Sequence, residues 1–94
     1  MLIIAGYLDV AAGARDAYVA ECRDVVASAR RASGCLDFAI TPDSLDARRV
    51  RVYERWETEE DLTAFRDSGP SDAQQAEIVA ADVRRFSIDS IGPA

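Results

Sequence analysis

A chain of 94 residues, 49% hydrophobic and 30% charged, has the length and composition of one globular domain with a large surface for its volume, for which self-association is a common remedy. Its formal charge of −6 argues against nucleic acid or an anionic membrane surface as a partner, and no apolar run approaches a membrane span. Histidine is absent, which removes the commonest metal ligand, the usual haem ligand and the usual general base.

The N-terminal stretch MLIIAGYLDV lacks a basic region and a cleavage motif, so residues 2–9 read as a strand and not as a signal peptide. Gly13 then interrupts the chain before a long helical pattern from about Ala14 to Ala32. Its apolar positions Tyr18, Val19, Cys22, Val25, Val26 and Ala29 follow the spacing of one helical face. Ser33-Gly34 stops that helix, and Cys35–Thr41 alternates as a strand. Pro42–Ala47 is turn chemistry, and a further strand from about Arg48 to Glu57 completes a hairpin.

Thr58-Glu-Glu-Asp61 combines an N-cap residue with acidic residues, which suits the start of a helix ending near Ser68-Gly69-Pro70. Ser71-x-x-Gln74 matches a capping box and predicts a further helix through about Ala81. Arg84–Ile91 reads as the last strand. Cys22 and Cys35 fall on a helix and a strand without export or metal-site spacing. Two free, mostly buried thiols in a cytoplasmic protein are expected, and no metal site.

The order β-α-β-β-α(α)-β is that of the split β-α-β, or ferredoxin-like, α+β plan: one four-stranded antiparallel sheet with helices on one face. Alternation assigns Leu2, Ile4, Leu8, Leu36, Phe38, Ile40, Val50, Val52, Trp56, Phe86 and Ile88 to the helix-facing side. Tyr7, Asp9, Asp37, Arg49, Arg51, Tyr53, Arg55, Arg85 and Asp89 fall on the other side. That mixed-charge face suits either solvent or a copy of itself. Glu54 is the exception in the apolar row, where a carboxylate is costly unless paired or protonated. It reads either as a carboxyl of raised pKa that accepts a phenolic proton, or as a structural hydrogen-bond partner. Trp56 reads as core or as pocket wall, and Tyr18 as core or as a source of a ligand-facing hydroxyl.

The string Gly34-Cys-Leu-Asp-Phe38, the hairpin, Tyr53-Glu-x-Trp56 and Glu59-Glu60-x-Leu62-x-Ala64 resembles the antibiotic-biosynthesis monooxygenase (ABM) domain. The resemblance covers nearly the whole chain, residues 1–94, in element order and length. It implies a subunit that pairs into a homodimeric α+β barrel. It also implies cofactor-independent oxygenation of a phenolic, quinol or polycyclic aromatic, polyketide-like small molecule by O₂. The family pattern has a histidine in the helix after the tryptophan, where this chain has Phe65. Haem-degrading relatives also need an asparagine four residues before the tryptophan, where this chain has Val52. No haem is therefore expected as a partner, and no cofactor. On this resemblance Trp56, Phe65, Val52 and Phe38 form the wall of a substrate site, with Glu54 and Tyr18 as its polar, catalytic contributors. Two alternatives stand beside it: a non-catalytic dimeric small-molecule-binding scaffold, and a polyketide cyclase or isomerase on the same fold.

Overall fold

In the computed structural model, which describes residues 1–68 and 78–94, β1 (Leu2–Val10) is followed by α1 (Arg15–Glu21) and α2 (Arg23–Arg31). The hairpin β2 (Cys35–Pro42) and β3 (Arg49–Trp56), then α3 (Glu59–Ser68) and β4 (Ile78–Ser87), complete the described elements. The strands form one four-stranded antiparallel sheet in the order β2-β3-β1-β4. This is the ferredoxin-like α+β arrangement that the element order predicts.

Register sets which side chains share a face. On β1 and β3 the pairs Leu2–Trp56, Ile4–Glu54, Gly6–Val52 and Leu8–Val50 stand opposite one another. On β2, Phe38 and Ile40 align with Glu54 and Val52. These positions face the helices, as alternation predicts. The core divides into two clusters. One gathers Leu2, Ile4, Ala29, Phe38, Trp56 and Leu62; the other gathers Val10, Tyr18, Cys22 and Val50, and Ile40 packs against both.

The expected single helix over 14–32 is broken at Cys22, which ends α1 and starts α2 with φ −76° and ψ −7°. Backbone hydrogen bonding continues through the break: Cys22 N–H donates to Tyr18 O and Val19 O, and its carbonyl accepts from Val26 N–H. No proline or glycine marks the position. The break divides the labour: α1 places Tyr18 and Cys22 in the second cluster, and α2 places Ala29 in the first.

The larger corrections lie in the last strand. It begins at Ile78, inside the stretch expected to be helical through Ala81, and ends at Ser87, short of Ile91. The capping-box match Ser71–Gln74 lies outside the described residues. Ile-Val-Ala-Ala-Asp-Val has mixed propensity, and pairing with β1 decides its conformation. The register also reverses two face assignments. Arg85 stands opposite Ile4 on the helix-facing side, while Phe86 stands opposite Ile3 on the other face and is 47% exposed. Leu36 sits at an irregularity between Cys35 and Asp37 and is exposed instead of joining the core, and Ile88 follows the strand's end.

Two glycines hold strands and helix at close quarters. Gly6, at φ +151°, lets β4 approach so near that a Cβ there would lie 1.9 Å from Asp82 O. Gly34, at φ +80°, leaves room for Asp61, whose Oδ2 would lie 2.0 Å from an added Cβ. Gly34 O also accepts from Glu57 N–H at 2.8 Å, so the start of β2 is docked against the start of α3. Thr58 caps that helix as expected: Asp61 N–H donates to Thr58 Oγ1 at 3.1 Å, and the hydroxyl donates to Asp61 Oδ2.

Candidate functional site

Trp56, Phe38 and Phe65 meet at the end of the sheet where β2 begins. Phe65 is brought there by α3; its ring centroid lies 5.4 Å from that of Trp56 and 5.9 Å from that of Phe38, the latter pair edge-on. Trp56 is fully buried and Phe38 nearly so, while Phe65 is half-buried. Burial of an indole requires a partner for its N–H. Trp56 Nε1 finds one on its own strand, two residues back, donating to Glu54 Oε1 at 3.0 Å.

Glu54 therefore belongs to the apolar side, as alternation predicts, and is anchored there by the tryptophan. It is half-buried. Burial pushes its carboxyl above the usual glutamate range, opposed by the Trp56 hydrogen bond and by the positive charge of Arg66 on α3. Oε2 makes no hydrogen bond to a described residue, so one carboxylate oxygen is committed to structure and the other has lone pairs to offer.

Glu54 also stands at a boundary. Towards β2 lies the closed aromatic end. Towards β4, past the buried Ile4, the same sheet face becomes more exposed: Val52 is half-buried, Gly6 contributes no side chain, and Val83 and Arg85 are exposed. Arg85 is paired with Glu59 at the start of α3. The cross-strand row Ile40–Val52–Gly6–Val83 thus runs across this face as the apolar neighbour of the carboxylate's row.

Of the residues singled out in the sequence, Glu54, Trp56, Phe38 and Phe65 come together, and Val52 adjoins them on the same face. Tyr18 does not join them: it packs in the second cluster with Val10, Cys22 and Val50. Val50 and Glu54 are four residues apart on β3, or ~13 Å along a strand. Arg85 is the site neighbour that sequence reading misplaced, because its side depends on the register of β4. The close approach of β4 at Gly6 is legible only as a glycine inside a strand.

The opposite sheet face is laced with charge. Arg49 forms a two-pronged pair with Asp9, at 2.9 and 3.2 Å, and its guanidinium lies 3.7 Å from the centre of the Tyr7 ring. Arg51 binds Asp43 at 2.8 Å, and two backbone N–H groups from Leu45 and Asp46 hold the other Asp43 oxygen. Those donors bring the Asp43 carboxyl down to about 2. Arg55 Nε is buried on this face with no hydrogen-bond partner among the described residues.

Among the described residues no group of histidine, cysteine, aspartate or glutamate side chains converges to hold a metal ion, and no helix is long and apolar enough to cross a membrane. Haem iron likewise has no imidazole in this chain to bind it, and Phe65 offers an apolar ring packed against two others. Neither cysteine forms a disulfide; Cys22 is buried and Cys35 half-buried, where burial raises its thiol pKa.

The sheet order, the helices on one face and the Glu-x-Trp pair at the end of β3 define a ferredoxin-like α+β domain. Residues 1–77 match the model of the antibiotic biosynthesis monooxygenase family, and the chain belongs to that family. Solved structures agree on the fold. A protein from Mycobacterium tuberculosis is 15% identical with a TM-score of 0.82, covering 98% of each chain. A putative antibiotic biosynthesis monooxygenase from Nitrosomonas europaea is 18% identical with a TM-score of 0.78, covering 93% of this chain and 97% of its own. A heme-degrader from Mycobacterium tuberculosis, solved with two hemes in its active site, is 20% identical with a TM-score of 0.67, covering 98% of this chain and all of its own. No curated protein matches the chain.

Proposed function

We propose that this protein is a cofactor-independent monooxygenase acting on a phenolic, quinol or polycyclic aromatic small molecule. The observation that carries this reading is Glu54: a half-buried carboxylate of raised pKa, fixed through one oxygen by Trp56, beside the apolar Val52 on the helix-facing side. Family membership supplies the reaction class.

In this reading an electron-rich ring lies over Val52 and Gly6, with its acidic C–H or O–H against the free oxygen of Glu54. Glutamate removes the proton, and a raised pKa makes it a better acceptor than an exposed carboxylate. The substrate anion donates electrons to O₂ and forms a carbon–oxygen bond. Protonation of the resulting peroxide and loss of water leave a carbonyl, as for an anthrone CH₂ that takes up O₂ and yields C=O and H₂O. The substrate is the reductant, so the protein supplies position, an apolar surround and one proton acceptor. Tyr18, buried in the second cluster, takes no part at the Glu54 end in this reading. Phe65 and Val52, both apolar, suit an aromatic ligand and offer nothing to iron.

The active form in this proposal is a homodimer joined through the charged sheet face. Its support is the exposed Phe86 on that face and a mix of arginine and aspartate that is self-complementary across a twofold axis. Sedimentation of the pure protein tests this directly, with a stable monomer as the adverse outcome.

Oxygen uptake in the presence of hydroquinones and anthrones tests the chemistry. Glu54→Gln is expected to lower kcat by roughly 10²–10⁴-fold, the usual contribution of a general base. An absence of uptake with every member of the panel removes the monooxygenase reading. The full burial of Trp56 against Phe65 favours a second reading, a non-catalytic binding scaffold. That reading expects the same aromatics to bind without oxygen consumption, whereas a cyclase or isomerase would turn them over without it.

A further inference from the structure

Residues of α2, α3 and the turn after α2 line an open cleft of about 380 Å³ whose lining does not include Glu54. That volume falls within the range of small-molecule sites, ~300–1,000 Å³. The α3 wall is one helical face: Asp61, Ala64, Phe65 and Ser68 follow the i, i+3, i+4, i+7 spacing that usually marks a packed surface. Here the small side chains Ala64 and Ser68 leave space instead. Phe65 also lines the cleft, and its ring contacts Trp56 and Phe38.

The two walls differ in their chemistry. On α3, Asp61 is already engaged, accepting from the Thr58 hydroxyl and backed by Gly34, and the Ser68 hydroxyl donates to Ala64 O at 2.9 Å. On the α2 side, Arg31 and the hydroxyls of Ser28 and Ser33 make no hydrogen bond or ion pair with any described residue. One wall therefore presents unspent donors and a cation, and Phe65 presents a half-buried aromatic ring. A guanidinium with adjacent hydroxyl donors suits a carboxylate, and a phenylalanine between two alanines, Ala32 and Ala64, suits a flat apolar body.

We propose that the α2–α3 cleft is a binding site for small aromatic carboxylates, with the carboxylate on Arg31 and the ring on Phe65. The site does not include Glu54 and needs no catalysis there. Because Phe65 touches both the cleft and the lone tryptophan, ligand entry reaches Trp56 through one side chain.

Calorimetric titration with 2-naphthoate, paired with the uncharged 2-naphthamide, tests the assignment. Naphthoate is expected to bind and to change Trp56 fluorescence. Arg31→Ala, at an exposed position, is expected to weaken naphthoate about tenfold, the scale of one charge-assisted hydrogen bond, and to leave naphthamide unchanged. Ala64→Leu, which fills the cleft from an exposed helix position, is expected to weaken both. Amide chemical shifts should move at Ser33 and Ala64. No binding of naphthoate at millimolar concentration, or binding that neither variant weakens, overturns the proposal.

Discussion

The helix-facing side of the sheet has two unlike halves. Over β2 and β3 the helices close it: Trp56, Phe38 and Leu62 are buried, and Phe65 seals the aromatic end. Beyond the buried Leu2 and Ile4 of β1, the same face opens along β4, where Val83 and Arg85 are exposed beside the bare backbone of Gly6. Glu54 stands on the boundary. The difference shows how one row of alternating residues can be core at one end and a candidate site in the middle. What changes along it is the helix above and the size of the side chain below, and not the strand itself.

Removing the closed end should cost most. Trp56→Ala deletes the largest fully buried side chain and strips Glu54 of its hydrogen bond, and a loss of about 3–5 kcal/mol is expected in urea unfolding. A loss under ~1 kcal/mol, the scale of a surface substitution, would show that this end is not the stabilising one.

On the open half the sensitive position is a backbone contact. Gly6→Ala forces a side chain into Asp82 O at a backbone angle that L residues rarely adopt, and should cost about 1–3 kcal/mol. Amide exchange should accelerate in β4 more than in β2, which lies on the far side of β3. Equal acceleration in both strands would mean that the two halves do not open separately.

Thr58→Ala removes the cap of α3, the helix that carries Phe65 to the aromatic end. About 1 kcal/mol is expected. The effect should also appear as faster exchange of the first amides of α3, while those of β4 are unaffected.

The smallest effects concern pH, and their signs oppose. Glu54 is raised in the folded state, so its contribution to stability is complete below its unfolded value and is lost as pH rises through the folded one. Glu54→Gln should therefore flatten stability between mildly acidic and neutral pH and be neutral or slightly stabilising at pH 7. Asp43 is depressed to about 2, so its contribution is present above its unfolded value near 3.8 and fades as pH falls towards 2. Asp43→Asn should destabilise at pH 7 and match the parent at the acid limit. Unfolding midpoints measured across pH for both variants check the pair, and matching slopes would contradict it.

Much of this was legible in the residues. Alternation placed Glu54 among apolar neighbours, and the thirteen residues from Tyr53 to Phe65 carried most of the family pattern and two rings of the aromatic trio, Trp56 and Phe65. The Thr58 cap was readable because one hydroxyl and one backbone amide three residues on suffice to make it. Arg85 and Phe86 were not, since a strand's faces exchange with a one-residue change of register, and that register is decided by β1. Tyr18 was correctly placed inward but not in the right company, because helical periodicity reports a face and not which cluster lies beneath it.

By itself, then, the amino-acid sequence determined the element order, the ferredoxin-like plan, the apolar row with its single carboxylate and the absence of any histidine. These follow from local periodicity and from residue chemistry, which act over a few positions. Only the tertiary structure decided that the long helix breaks at Cys22, that β4 starts at Ile78, that Glu54 is held by Trp56 and that Phe65 closes the aromatic end while lining the α2–α3 cleft. Those outcomes depend on strand pairing and on helices meeting across the sheet, contacts between residues far apart in the chain that no local pattern encodes.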